Sequence, residues 1–89
     1  MKAVVTVIGK DSKGIIAAVS GECAKLGGNI VDISQSVMRE YFAMIMLVEI
    51  EGLSVPFASF ADSMNKLGEE KGLEIHAMHE DIFNAMHRI

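Results

Sequence analysis

The chain has 89 residues, of which 51% are apolar and 22% are charged, and its net charge is −4. This composition is typical of a folded globular domain. Because so small a chain cannot bury all of its apolar surface alone, we expect it to self-associate. The acidic balance argues against nucleic acid as a partner and against a polybasic membrane anchor. A single cysteine excludes an internal disulfide and any metal site built on several thiolates.

The N-terminal segment carries one lysine and then a short strand-like run. It lacks the apolar core and the cleavage region of a signal peptide. No apolar run along the chain approaches the roughly 18 to 20 residues that a membrane-spanning helix needs. We therefore expect a cytoplasmic protein with no membrane partner.

The first strand is predicted at residues 2–8, with the sequence KAVVTVI, which ends at Gly9. The segment is rich in β-branched residues, as strands are. Apolar side chains occur at alternate positions on both of its faces. This pattern suits a central strand that is covered on both sides.

The first helix is predicted from Gly14 to about Leu26, because the apolar residues of this segment lie three and four positions apart. Two candidates for its N-terminal cap, Asp11 and Ser12, come just before it. The pair Gly27–Gly28 is expected to end it, since glycine is the commonest residue after a helix.

The second strand is predicted at residues 29–38, where one face is mainly apolar and the other is partly polar. The apolar face is expected to carry Val31, Ile33 and Val37. Ile30 and Asp32 are expected on the other face, together with Ser34. One face of this strand therefore belongs to a core, and the other is exposed or lies at an interface.

The third strand is predicted at residues 41–50, which are apolar on both faces almost throughout. A short connection, Arg39–Glu40, would join it to the second strand as a hairpin. In a two-layer domain, helices cover one face of the sheet and something else must cover the other. The simplest cover for that second face is another copy of the chain.

The second half of the chain repeats the order of a helix and a strand. Ser54 is the expected cap of a helix that has Pro56 in its first turn and ends before Gly72. A last short strand follows at residues 73–78, and residues 81–89 are expected to form a terminal helix.

The predicted order is therefore β-α-β-β-α-β with a short additional helix. This order predicts an α+β fold of the ferredoxin-like type, in which two helices cover one face of a four-stranded antiparallel sheet.

The loop at residues 9–14, GKDSKG, is the first candidate for a binding site. A strand that turns directly into a helix leaves unpaired backbone N–H groups at the helix start, and these groups suit a carboxylate or a phosphate. A turn that binds nothing also needs glycine, so the pattern leaves both interpretations open.

Two motifs together make this chain resemble the ACT domain family. The first is the strand that leads into GKDSKGIIA at residues 9–17, and the second is LGGNIVDISQ at residues 26–35. The resemblance covers residues 1–89 as one ACT-like domain. It is strongest to the small stand-alone ACT proteins of bacteria and archaea.

This resemblance implies a non-catalytic regulatory module that binds a small molecule, usually an amino acid, between two copies of the chain. In such proteins the first loop of one subunit and the start of the second strand of another enclose the ligand. Carried over by position, the ligand-binding residues would be Asp11, Gly14, Ile15, Asn29, Ile30 and Asp32. Lys13 departs from the family pattern, because many ACT domains have proline at this position.

A free amino acid carries a carboxylate and an ammonium group, and the chain offers a partner for each. The backbone N–H groups behind Gly14 suit the carboxylate, and Asp32 or Asp11 suits the ammonium. An apolar wall around Ile15 and Ile30 would then select the side chain of the ligand.

Simpler explanations remain open for the same residues. Asp11 could be only a helix cap, and Asn29 could be only a turn residue. Asp32 could simply be exposed on the uncovered face of the sheet.

The histidines and the cysteine are given structural interpretations. His76, His79 and His87 are interpreted as solvated surface residues, with His76 and His79 on opposite faces of a strand. No arrangement of ligands fixes a metal geometry, so we predict no metal site and no cofactor. Cys23 lies on the buried stripe of the first helix and is expected to be an inert core thiol.

The preferred functional hypothesis is an amino-acid-binding regulatory homodimer. A second class remains open, in which the chain docks on a partner enzyme or regulator through its sheet face and binds no ligand. Catalysis is disfavoured because no nucleophile and base are placed to converge. Acylphosphatase chemistry would need an arginine in the first loop, and the arginines of this chain are Arg39 and Arg88.

Overall fold

Seven elements follow one another in the computed structural model, which describes residues 1–10 and 13–86. They are β1 (Lys2–Gly9), α1 (Ile15–Lys25), β2 (Asn29–Met38), β3 (Tyr41–Glu49), α2 (Phe57–Lys71), β4 (Glu74–His79) and α3 (Glu80–Met86). The order β-α-β-β-α-β with a C-terminal helix confirms the predicted ferredoxin-like fold.

The four strands form one antiparallel sheet in the order β2-β3-β1-β4. The two strands with the most continuous apolar sequence, β1 and β3, lie at its centre. Because they run in opposite directions, Gly9 at the end of β1 lies opposite Phe42 near the start of β3. At the other end of the sheet, Lys2 lies opposite Glu49. The edges are β2 and β4.

The core lies between one face of the sheet and the helices α1 and α2. Every second residue of β1 and β3 points into it, as the period of a strand requires. The sheet contributes Ala3, Val5, Val7, Phe42, Met44, Met46, Val48 and Ile75, and the helices contribute Ile15, Val19, Cys23, Phe60 and Met64. We refer to the opposite face of the sheet as the open face.

The predicted faces of β2 are wrong at its start, because the strand contains a β-bulge between Ile30 and Asp32. Val31 is the extra residue, and it shifts the alternation of side chains by one position. Ile30 consequently lies opposite Val48 and packs against the core, whereas it was predicted on the other face. Asp32 lies opposite Leu47 on the open face, as predicted.

The predicted cap of α2 is also wrong, because Pro56 and not Ser54 occupies the N-cap position. Ser54 instead joins two loops: its backbone N–H and its hydroxyl both donate to the carbonyl of Leu26, at 2.9 Å and 3.2 Å. Gly27, beside this contact, has φ 91° and faces the carbonyl of Gly52 so closely that a Cβ atom would collide with it. The turn after α1 and the loop before α2 are therefore packed backbone against backbone.

The terminal helix α3 begins directly after β4 and packs against β1 and β4. Ile82, predicted on its apolar side, is exposed. The predicted continuation through His87, Arg88 and Ile89 lies outside the described residues. In the part of the chain that the structure describes, no helix has the length and apolar character needed to span a bilayer.

Candidate functional site

The start of α1 is formed by Gly14, which occupies the N-cap position in the left-handed conformation, with φ 74° and ψ 0°. Among residues 1–10 and 13–86, and apart from its two chain neighbours, no atom lies within 4 Å of the position that a Cβ of this residue would occupy. Glycine is therefore required here by backbone conformation and not by crowding. The prediction that Asp11 or Ser12 occupies the N-cap of α1 is therefore wrong, because Gly14 holds that position. Both residues lie outside the described residues, so the predicted binding role of Asp11 stays a prediction.

A cavity of about 270 Å³ lies beside this loop, between the start of α1 and the end of α2. The described residues that line it are Lys10, Lys13, Gly14, Ile15, Ala18, Val19, Leu67, Lys71, Gly72 and Leu73. Three of the six lysines of the chain, Lys10, Lys13 and Lys71, border it, so the cavity is basic although the chain is acidic.

Ile15 belongs to the core, where it is buried with Val19 and Cys23, and it also lines the cavity. Its predicted role as an apolar wall around a ligand stays a prediction. Sequence reasoning missed Lys71 and Gly72 as cavity residues. They lie more than fifty positions from the first loop in the sequence, and only the packing of α2 beside α1 brings them there.

The other predicted half of the site is the start of β2. Asn29 is exposed and lies opposite Glu49, whereas Ile30 is half-buried against the core. Asp32 is exposed, and its Oδ1 accepts a hydrogen bond of 2.9 Å from the backbone N–H of Ile33. This bond satisfies a donor next to the bulge, which gives Asp32 a structural role as well.

The two halves lie at opposite ends of the sheet within one chain. Gly9, which precedes the loop, lies opposite Phe42, and Asn29 lies opposite Glu49, which in turn lies opposite Lys2. The length of β1 separates them, which amounts to about 20 Å of extended strand. One chain therefore does not bring the predicted site residues together.

His76 and His79 lie on opposite faces of β4, as predicted. His76 is exposed on the open face, with its Nε2 3.6 Å from Oε2 of Glu74. The prediction that His79 is a solvated surface residue is wrong. Its ring stacks on Phe57 at 4.2 Å between centroids, and its Nδ1 is buried without a hydrogen-bond partner among the described residues.

Nothing in this arrangement resembles a metal centre. Within residues 1–10 and 13–86, no three side chains of His, Cys, Asp or Glu are grouped closely enough to hold an ion. His87, the third histidine, lies outside these residues.

Cys23 is fully buried in α1, which agrees with its interpretation as a core thiol. Burial, assisted by the nearby negative charge of Glu22, raises the pKa of the Cys23 thiol from about 9 to about 11. At neutral pH the folded protein therefore holds about 100-fold less thiolate at this position than an ordinary cysteine would. Nucleophilic or metal-binding chemistry at Cys23 is unfavourable for this reason.

This shift predicts that the protein loses stability in alkaline solution. The folded state keeps the proton of Cys23 to a higher pH than the unfolded state, so the free energy of unfolding decreases as the pH rises from about 9 towards 11. Urea denaturation at pH 7, 9 and 10.5 measures the decrease, which the variant Cys23→Ala should show to a smaller extent. Equal pH dependence in both proteins would contradict the assignment.

Comparison with known proteins agrees with this fold. A family model described as ACT domain matches residues 2–78. UPF0237 protein MJ1558 of Methanocaldococcus jannaschii is 49% identical over 88 residues, which cover 99% of this chain and 98% of the relative. UPF0237 protein lin0537 of Listeria innocua is 46% identical over 89 residues and the full length of both chains.

Solved structures give the same result. An ACT domain protein from Streptococcus pneumoniae superposes with a TM-score of 0.82 at 41% identity, over 98% of both chains. The regulatory subunit of aspartate kinase from Thermus thermophilus, in its ligand-free form, shares the fold with a TM-score of 0.66 at 22% identity, over 86% of this chain and 50% of that one. This chain therefore belongs to the ACT domain family, alongside the UPF0237 proteins of bacteria and archaea.

Proposed function

We propose that this protein is a non-catalytic regulatory module that binds an amino acid between two copies of the chain. The observation that carries the proposal is the separation of the two predicted halves of the site. The loop before α1 and the start of β2 lie at opposite ends of one sheet. A complete site of this kind therefore needs the second half from another chain.

The edge strand β2 supports an association that would supply it. All ten of its residues are exposed or half-buried, and from Ile33 to Met38 it carries neither a charge nor a proline. Natural proteins normally protect a long edge strand with charges, proline or a covering segment, because its unpaired backbone groups attract another strand. An edge without such protection favours pairing with a second β2.

Pairing of two β2 strands about a two-fold axis is antiparallel, and this direction has a useful consequence. The end of β2 lies at the same end of the sheet as Gly9, since Met38 lies opposite Tyr41 and Gly9 lies opposite Phe42. An antiparallel partner strand begins where this strand ends. The partner's Asn29 and the partner's Asp32 would then approach the end of the sheet that holds Gly14.

The chemistry of the two halves suits an amino acid. The first backbone N–H groups of α1 and the lysines around the cavity favour the carboxylate. The second oxygen of Asp32, which does not take part in the bond to Ile33, is a partner for the ammonium group. A ligand that carries both charges would bridge the two chains. Its binding would then couple the concentration of the amino acid to the association of the two chains.

A thermal-shift screen of the amino acids at millimolar concentration tests the proposal. A ligand present at 100 times its Kd should stabilise the folded state by about 2.7 kcal/mol, which raises the Tm by roughly 10 to 20 °C in a domain of this size. The amide of the stabilising amino acid, which lacks the carboxylate, is the matched control and should stabilise much less. Absence of stabilisation by every amino acid would contradict the proposal.

A further inference from the structure

The cavity beside Gly14 combines a basic rim with an apolar wall. Lys10 borders it directly after β1, Lys13 borders it before α1, and Lys71 borders it at the last position of α2. All three lysines are exposed. The remaining side chains of the described lining are apolar: Ile15, Ala18, Val19, Leu67 and Leu73. Such a lining suits a ligand that has a charged end and an apolar body.

The positive charge of the rim is not balanced inside the cavity. None of the described residues that line it is acidic. Lys10 lies over the ring of Tyr41, with its Nζ 5.9 Å from the centroid, and this contact leaves the charge in place. Lys71 forms no ion pair with any of residues 1–10 and 13–86. Like charges around one cavity repel one another, so a bound anion would relieve the repulsion.

The apolar wall decides which anions fit. Leu67 and Leu73 are half-buried, so part of each side chain still contacts water. An aliphatic group in the cavity would remove this apolar surface from water, whereas inorganic phosphate would use the lysines alone. The volume of about 270 Å³ lies below the usual range for drug-sized ligands, roughly 300 to 1,000 Å³, and therefore suits a small molecule.

The same lining disfavours the ammonium group of an amino acid. An ammonium group donates hydrogen bonds and needs acceptors, preferably carboxylates, but the charged side chains of the described lining are all lysines. A carbonyl oxygen in place of the ammonium group removes the repulsion. It also gives a second acceptor beside the carboxylate, which a second lysine can use.

We propose that this cavity binds, within one chain, a small aliphatic carboxylate without an ammonium group, of the α-keto acid class. Its carboxylate and carbonyl oxygens accept hydrogen bonds from the lysines of the rim, and its aliphatic part lies against Leu67 and Leu73. This site needs no second chain and does not rest on the proposed function. The two ligands would nevertheless compete, because both direct a carboxylate to the same lysines.

An NMR titration of the isotope-labelled variant Val37→Lys with α-ketoisocaproate tests the proposal. Lysine on the edge strand should prevent the pairing of two β2 strands, so this variant isolates the cavity from a site between chains. The amide signals of Gly14, Gly72 and Leu73, which line the cavity, should shift. Leucine has an ammonium group in place of the carbonyl, and inorganic phosphate has no aliphatic part. Both should bind at least about tenfold more weakly than the keto acid.

Two pairs of substitutions locate the site in the unmodified chain. Lys71→Gln removes one charge of the rim and should weaken binding of the keto acid about tenfold. Lys66→Gln, at an exposed position of the same helix outside the cavity, should have little effect. Ala18→Phe places a ring in the cavity and should abolish binding, whereas Ala17→Phe, at the exposed neighbouring position of α1, should not. Circular dichroism verifies that the variants are folded.

The outcomes separate this site from the proposed function. Absence of shifts around the cavity, or equal binding by Lys71→Gln and Lys66→Gln, would overturn the site. Phosphate that binds as tightly as the keto acid would contradict a role of the apolar wall, and leucine that does so in Val37→Lys would contradict the exclusion of ammonium. Binding of the keto acid together with no stabilisation by any amino acid would contradict the proposed function alone.

Discussion

The variant Val37→Lys is expected to lose the stabilisation by amino acids and to have half the mass of the unmodified protein. Val37 is 67% exposed near the end of β2, so lysine at this position should cost the single chain little. In an antiparallel pair of β2 strands, however, the new charge would be desolvated against the neighbouring strand. Lysine on an edge strand is a common natural means of preventing such pairing.

Two measurements check this expectation: the mass from light scattering and the Tm with and without the stabilising amino acid. The same charge added by Asn65→Lys, on an exposed helix position, should change neither quantity. If Val37→Lys is still stabilised by the amino acid as strongly as the unmodified protein, the site does not require a second β2. The site would then be complete within one chain, and the basic cavity beside Gly14 would be its best candidate.

Replacement of Gly27 by alanine is expected to destabilise the fold by at least about 3 kcal/mol, a large share of the stability of a small domain. Gly27 has φ 91°, where alanine is strained by about 1 to 2 kcal/mol. Its added methyl group would also collide with the carbonyl of Gly52, which is backbone and cannot rotate away. The two loops would have to separate, and the hydrogen bonds from Ser54 to Leu26 would weaken with them.

Gly72→Ala is the matched comparison for this prediction. Gly72 also has a positive φ, 71°, but in the described part of the chain no atom beyond its two neighbours lies within 4 Å of the position of a Cβ. This variant should therefore show the backbone strain alone, about 1 to 2 kcal/mol. Urea denaturation of both variants measures the difference, and equal losses of stability would mean that the contact between the two loops contributes nothing.

The order of elements could be predicted from the sequence because each element has its own local signal. Apolar residues alternate or run continuously in the strands, and they recur three and four apart in the helices. The cap of α2 could not be predicted as reliably. Ser54 is a good capping residue by type, but the carbonyl of Leu26, 28 positions away, is where its hydroxyl donates.

The bulge at Val31 shows a second limit of the sequence pattern. Ile30, Val31, Asp32 and Ile33 are compatible with a regular strand, and only pairing with β3 reveals one residue too many. The sequence could not show this, because it does not contain the register of the neighbouring strand. The bulge places Ile30 on the core side of the sheet, whereas a regular strand would place it on the open face with Asp32.

The environment of His79 could not be predicted for a similar reason. A histidine near the end of a short strand in an acidic chain is usually solvated. Here the first residue of α2, Phe57, covers its ring, and this neighbour comes from a segment more than twenty positions earlier in the chain.

By itself, the sequence determined the family, the order of the elements and the two segments that resemble a ligand site, since these depend on local residue types and spacing. Only the tertiary structure decided that the segments lie at opposite ends of the sheet, that β2 is an exposed edge and that lysines from α1's loop and the end of α2 share one cavity. The physical reason is that strand order and register are set by contacts between residues far apart in the chain. The loop before α1 is thus half of the proposed site, and a second chain would complete it.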